Sequence, residues 1–310
     1  MVENTDVQQR TLPVVYHSAY VTPLPDGHRF PMPKFGRLYE ILIAEGITST
    51  ATVSVPEPLS PEELMVIHHP DYVDAFLSGS IDAAALRRIG LPWSPGLAQR
   101  TVHAVAGTLL TARLALEHGL ACNAAGGTHH AHPGFGSGFC IFNDLAVTAA
   151  TLLQEGVVAS ILIVDLDVHQ GDGTAAAFLD EPRVFTFSMH CHENFPFRKV
   201  MGDLDVPVPA GTGDAGYMDR LSEVLPDLLD RVAPDLVLYD AGVDVYAGDR
   251  LGRLEVSIEG ITRRDQYVIS QCRKRGIPLA GVIGGGYDRD VHALAHRHAI
   301  LHRVAHRSLG

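Results

Sequence analysis

Long hydrophobic runs are missing from this 310-residue chain, and none approaches the ~20 apolar residues that crossing a bilayer takes. Nor does the N-terminus, MVENTDVQQRTLPVVYHS, show a basic segment followed by an apolar one, so no secretory signal is expected. Cysteine is scarce: Cys122, Cys140, Cys191 and Cys272 are scattered, with no C-x-x-C pair. A disulfide framework is therefore not expected, and a reducing, cytoplasmic setting is. Positive charge is short as well, with 24 Lys and Arg against 36 Asp and Glu, a net charge of −12. Phosphate-backbone binding needs clustered cations, so nucleic acid is a poor partner. A cationic substrate, such as a lysine-bearing peptide or a polyamine, suits an acidic chain better. Low-complexity linkers, charge blocks and internal repeats are absent too, and the chain reads as one domain spanning 1–310.

What is present is apolar and rich in histidine. Hydrophobic residues make up 46% of the chain, enough for a large core, and there are 17 histidines. Short apolar runs end in Gly, Asp or His clusters: Leu120–Ala125, Ile161–Leu166, Val184–Met189, Leu236–Tyr239 and Leu279–Ile283. Such runs suit strands buried on both faces. Helical spacing fills the intervals at Pro95–His118, Asn143–Gln154, Tyr217–Val232 and Ile258–Arg275. The alternation predicts an α/β fold, an open and mainly parallel sheet with helices on both faces. Pro23–Lys34 (PLPDGHRFPMPK) reads as a loop, either a functional rim or a structural Ω-loop.

The polar clusters follow the apolar runs, where open parallel sheets bind ligands. In DLDVHQGDG, Asp165, Asp167 and His169 alternate with Leu166 and Val168, so they start on one face of a strand. Two carboxylates and an imidazole this close repel or desolvate badly without a cation. Asp167 and His169 form a D-x-H ligand pair, and Asp244 is a third donor from a neighbouring strand. Three protein ligands with an open position describe a catalytic metal site. The competing reading is a hydrogen-bonded network of loop aspartates. In GGTHH, His129 and His130 are either general acid–base groups or further ligands, with Asp165 and Asp172 available to orient them. The Gly284–Gly286 run does not fit a dinucleotide-binding pattern. It allows close backbone approach and places the Tyr287 hydroxyl as an oxyanion donor or as a buried structural group. His190 and His192, in HCHE, are expected to face solvent from a loop. His292, His296, His298, His302 and His306 are expected on a solvated or packing face of an Ala/Leu-rich helix.

Together GGTHHA (126–131), GFCIFND (138–144), DLDVHQGDG (165–173), AGVD (241–244) and GGGY (284–287) resemble the arginase–deacetylase superfamily, specifically the zinc-dependent histone deacetylases. DLDVHQG and AGVDVYAGDRLGRLEVSIEGITRRD look most like class IV. The resemblance spans roughly residues 14–305. It implies an arginase–deacetylase fold and a deacylase that removes acetyl or longer acyl groups from lysine, or from acetylpolyamines and other small acylated amines. It implies Zn²⁺ at Asp167, His169 and Asp244; the anionic ligand set admits Fe²⁺ as well. His130 with Asp172 becomes the general base toward the attacking water and the acid toward the leaving amine, His129 with Asp165 an electrostatic partner, and Tyr287 the oxyanion donor. The Gly138 carbonyl would accept the substrate amide N–H. Phe139 and Phe195 would wall a tunnel with Leu251 at its rim, and Gly285 and Gly286 would line it. A structural K⁺ is implied at Asp165, Asp167, His169, Ser188 and Met189. Gln170 departs from the second His of many relatives, whereas Asp172 keeps its dyad intact. An arginase-like two-metal site is disfavoured, because position 171 is Gly where D-x-H-x-D needs an acid. A non-catalytic binding module would have lost a ligand, the base or the tyrosine, and all are present.

Overall fold

The computed structural model describes residues 11–309. The first ten residues, which open the segment read as free of a secretory signal, and Gly310, the end of the 1–310 domain span, lie outside them. The strands are β1 Val14–Val15, β2 Leu120–Asn123, β3 Ile161–Asp165, β4 Val184–Cys191, β5 Leu204–Val208, β6 Leu236–Asp240 and β7 Leu279–Val282. The helices are α1 Lys34–Ala44, α2 Pro61–Leu64, α3 Pro70–Ser78, α4 Ala83–Ile89, α5 Pro95–His118, α6 Asp144–Gln154, α7 Asp172–Ala177, α8 Asp214–Val232, α9 Ile258–Lys274 and α10 Val291–Leu309. The strands form one sheet in the order β1-β2-β7-β6-β3-β4-β5. Every pairing in it is parallel.

A strand's side chains alternate between faces, so a doubly covered sheet needs apolar residues at every position. In β3, Ile161 and Ile163 join a core cluster under α5 and α6, while Leu162 and Val164 join the larger one under α1, α8, α9 and α10. Ser94 caps α5 through Leu97 N–H, and Gly119 ends it in the left-handed conformation. Asn143, expected as the first residue of a helix, is instead the N-cap of α6, accepting from Ala146 N–H.

All five expected strands are present, each starting where expected and ending one or two residues away from its expected end. β1 and β5 were not anticipated. β1 has two residues, and β5 (LDVPV) carries a proline that an edge strand tolerates because one side needs no ladder bond. Pairing with β5 prolongs β4, matching His190 with Pro207. This corrects the reading of His190 as a solvent-facing loop residue: it is a buried strand residue, with Nδ1 3.0 Å from Ser188 Oγ. His192 is exposed, as expected. On α10, His298 and His302 are buried in the packing face and His292 is exposed. Residues 23–33 form a loop that leads into α1.

Candidate active site

Strand ends set the geometry. Asp165 closes β3 in register with Asp240 of β6 on one side and Ser188 of β4 on the other. Beyond them, the ligand atoms of Asp167, His169 and Asp244 lie within 4.8 Å of one another, all on buried residues. His169 Nδ1 is 3.0 Å from Asp167 Oδ1 and 3.2 Å from Asp244 Oδ2. Val168 N–H donates to Asp244 Oδ1 at 2.9 Å, and Gly285 N–H to Asp167 Oδ2 at 2.7 Å. Asp244 Oδ2 has no hydrogen-bond partner of its own. Burial and then the neighbouring Asp167 push the Asp244 carboxyl upward. Burial opposes a charge on His169, but its bond to Asp167 and the nearby Asp244 carboxylate outweigh it and raise that imidazole to about 9. A buried oxygen without a donor, beside a second carboxylate and an imidazole, fits a divalent cation.

The paired histidines sit just past β2. His130 Nδ1 donates to Asp172 Oδ1 at 2.6 Å, and His132 Nε2 is 3.0 Å from the other Asp172 oxygen. His129 Nδ1 donates to Asp165 Oδ2 at 2.7 Å. The two rings are 4.2 Å apart. Burial, then the charge on His129, lowers His130 to about 4. Burial also works against His129, but Asp165, Asp167 and Asp240 lift it well above an ordinary histidine. Neighbouring imidazoles are thus driven to opposite protonation states, a neutral base beside a fixed cation. Tyr287 is held by its own N–H, which donates to Asp249 Oδ2 at 2.7 Å. Burial, followed by Asp244 and Asp167, pushes its hydroxyl far up, so it stays a donor.

A funnel of about 490 Å³ opens onto these groups. Gly138, Phe139, Phe195 and Leu251 line it above His130, His169 and Tyr287. Phe139 adopts φ +67°, a left-handed conformation rare for an aromatic residue, and so presents its ring to the wall. Phe195 meets the His130 ring edge-on at 4.8 Å. Below lies a small cavity of about 30 Å³, bounded by Gly126–His130, Phe139, Cys140, Gly285 and Tyr287. A side chain at Gly285 would run into the Asp244 and Asp167 carboxylates. Gly286 borders neither space, and a side chain there would meet Val243 and His298. The residues implied for K⁺ are neighbours. Ser188 pairs with Asp165, and Cys191 N–H donates to Val168 O at 2.9 Å, laying the 167–169 turn along the end of β4 beside Met189.

Several functional neighbours escaped the sequence reading. Asp144 fixes the GGTHH turn, accepting from Thr128 N–H at 2.7 Å and Gly127 N–H at 3.1 Å. Asp240, buried with neither oxygen bonded, forms a second acidic group with His129 and Asp165. Lys34 is buried, reaches the Gly284 and Gly286 carbonyls at 3.4 Å, and is lowered to about 8 by burial. Asp144 and Asp240 stood inside the quoted motifs or next to them. Lys34 stood at the end of the segment read as a loop, with no local signal, and opens α1.

An α/β enzyme is defined here, with its chemistry beyond the strand ends and donors suited to a divalent cation. The chain belongs to the histone deacetylase family: residues 28–302 match the histone deacetylase domain. It is 57% identical over 293 residues to an uncharacterized protein of Picosynechococcus sp., covering 94% of this chain and 98% of that one. Histone deacetylase 2 of Arabidopsis thaliana is 32% identical over 295 residues, 91% of this chain and 76% of the plant protein. The acetoin utilization protein AcuC of Staphylococcus aureus is 29% identical over 288 residues, 85% of this chain and 73% of that one. The crystal structure of the HDA15 HD domain shares the fold, with TM-score 0.77 at 22% identity over 97% of this chain and 92% of that one. The chain is a deacetylase of the hydrolase class. Among the described residues no helix is long and apolar enough to cross a membrane.

Proposed function

We propose that the protein is a single-domain, zinc-dependent lysine deacylase that prefers short acyl groups, acetyl above all. The observation that carries the proposal is the convergence of Asp167, His169 and Asp244 beside a neutral His130 and a protonated Tyr287 at the foot of one funnel. Zn²⁺ suits the mixed oxygen and nitrogen donors, Fe²⁺ is the next candidate, and K⁺ is assigned to the Asp165–Ser188 end of β3 and β4. When bound, the divalent cation polarises the acyl carbonyl and makes water a stronger nucleophile at neutral pH.

His130 takes the proton of the attacking water, its ring fixed by Asp172. It then hands that proton to the amine nitrogen as the C–N bond breaks, giving a carboxylate and a free lysine. His129, paired with Asp165, supplies fixed positive charge. Tyr287 donates its hydroxyl to the carbonyl oxygen as negative charge develops there. The Gly138 carbonyl accepts the substrate N–H, Phe139 and Phe195 flank the lysine stem, and Leu251 stands at the rim. The cavity of about 30 Å³ beneath holds little more than a water or two, which supports acetyl over long chains. The four buried free cysteines suit a reducing cytoplasm.

The test is hydrolysis of lysine peptides carrying acetyl through long fatty acyl groups, by zinc-loaded protein with Tyr287→Phe as control. Acetyl turnover that is lost in the variant is expected. No turnover on any peptide, by protein shown to hold zinc, overturns the proposal.

A further inference from the structure

The funnel mouth is basic although the chain carries a net charge of −12. Arg29, Arg88 and Arg253 line it, and among the described residues Glu193 is the only acid at its border. All three arginines are exposed. Among the described residues none of them forms an ion pair, whereas Arg37, Arg113 and Arg303 elsewhere on the surface do. The Glu193 carboxylate accepts Ala210 N–H at 2.9 Å and, among the described residues, pairs with none of the three; its single negative charge leaves the rim net positive.

The arginines are also held in place. The Arg29 guanidinium lies 5.0 Å above the Phe139 ring, and that of Arg88 lies 4.7 Å above Phe135. Gly138 N–H donates to Arg88 O at 3.3 Å and Phe139 N–H to Ile89 O at 2.7 Å, which fastens the end of α4 to the funnel wall. Arg253 follows the rim residue Leu251 in a turn organised by Asp249, which accepts Leu251 N–H at 2.8 Å and Gly252 N–H at 3.0 Å. Guanidinium groups stacked on aromatic rings lose less freedom when they bind a carboxylate, and their planar forks match it.

We infer that this arginine rim selects acyl-lysines flanked by acidic residues and turns away polycationic substrates such as acylated polyamines. The inference rests on the deacylase reading and names its substrate class. A lysine stem that reaches the foot of the funnel leaves its flanking residues at the mouth, within reach of these side chains. Salt limits exposed charges to about 10 Å, so the local rim, not the distant acidic surface, governs what docks. A carboxylate at the far end of the acyl group has no room in a cavity of about 30 Å³.

The test uses acetyl-lysine peptides of one length with Glu, Gln or Lys on both sides, together with N-acetylspermidine. Both kcat/KM and, with fluorescently labelled peptides, anisotropy-derived Kd are measured. Glu flanks are expected to be favoured about 10-fold over Lys flanks at low salt, with the preference shrinking as salt screens it. In the R29Q/R88Q/R253Q variant the ratio falls toward 1, with R253Q alone intermediate. A ratio does not depend on the folded fraction, so a less stable variant still reports. Preference for Lys flanks or acetylspermidine overturns the inference, as does a Glu preference that survives the triple substitution. Binding that keeps the Glu preference without turnover of any peptide upholds the rim and overturns the deacylase reading instead.

Discussion

His129 and His130 adjoin in sequence and differ only in which carboxylate each meets. Asp165 brings His129 the added field of Asp167 and Asp240, whereas Asp172 is shared with His132 and leaves His130 facing the charge of its neighbour. The division of labour therefore depends on Asp172 holding one tautomer of His130. Asp172→Asn is expected to lower kcat about 10²–10⁴-fold with little change in KM. Single-turnover kinetics on the acetyl peptide check this, and a KM effect alone would assign Asp172 to binding. On the proposed mechanism, Tyr287→Phe removes the hydroxyl that faces the developing oxyanion and should cost about 10²–10³-fold in kcat. Circular dichroism and thermal unfolding should leave that variant indistinguishable from the parent, and retained kcat would remove Tyr287 from the chemistry. These residues were legible because chemistry compressed them into short motifs. Asp249 and Lys34 were not, since each acts through a contact made by the folded chain: Asp249 through Tyr287 N–H, 38 positions away, and Lys34 through the Gly284 carbonyl, 250 positions away.

Secondary-structure elements carry the site through buried polar ties that periodicity alone does not show. Arg264 reads as an ordinary residue of α9, yet it is fully buried. It donates to Leu166 O at 3.2 Å, Gly242 O at 2.6 Å and Ala241 O at 3.1 Å, with Asp265 against its Nε at 2.9 Å. It thereby joins the turns after β3 and β6 that carry Asp167 and Asp244. Arg264→Met strands those carbonyls and the Asp265 carboxylate, so urea unfolding is expected to show a loss of about 3–5 kcal/mol. A loss below about 1 kcal/mol would mean that water replaces the guanidinium. Helix α10 and the segment before α3 add a pH dependence. Burial lowers His302 and His68 to about 4. Below an unfolded-state value of about 6.5 the unfolded chain takes up these protons and the native state does not. Stability therefore falls as pH drops from about 6.5 to about 4, at up to about 1.4 kcal/mol per pH unit for each proton. His302→Leu should remove one proton's worth of that slope in urea titrations between pH 7 and 5, and an unchanged slope would place the His302 proton elsewhere. The longer helices from α5 onward and the central strands were readable because their patterns are continuous, whereas β5, α1 and the short α2–α4 depend on partners distant in sequence.

Charge illustrates how a whole-molecule sum misleads about a site. The balance of −12 suggested a cationic substrate, yet the mouth of the funnel carries Arg29, Arg88 and Arg253. The acidity that matters is concentrated inside, where Asp165, Asp167, Asp240 and Asp244 are buried around the strand ends. Burial, then mutual repulsion, pushes Asp240, Asp244 and Asp249 upward, with Asp249 at about 7. Four carboxyls buried this close together cost stability through their mutual repulsion, which a bound divalent ion would relieve. An ion that binds only the native state stabilises it by about 2.7 kcal/mol when free ion stands at 100 times its Kd. For a chain of this size that corresponds to a shift of about 5 °C in Tm. Dialysis against a chelator should therefore lower Tm by roughly that amount, and added Zn²⁺ should restore it. In Asp244→Asn the response to Zn²⁺ should vanish, because the oxygen without a hydrogen-bond partner at the centre is no longer anionic. Metal analysis must accompany the melts. Equal Tm values for chelated and zinc-loaded protein, with occupancy measured in both, would mean that Asp167, His169 and Asp244 are held by the fold alone and that the ion contributes nothing to stability. A response surviving in Asp244→Asn would place the ion at His129, Asp165 and Asp240, the other buried donor group at these strand ends.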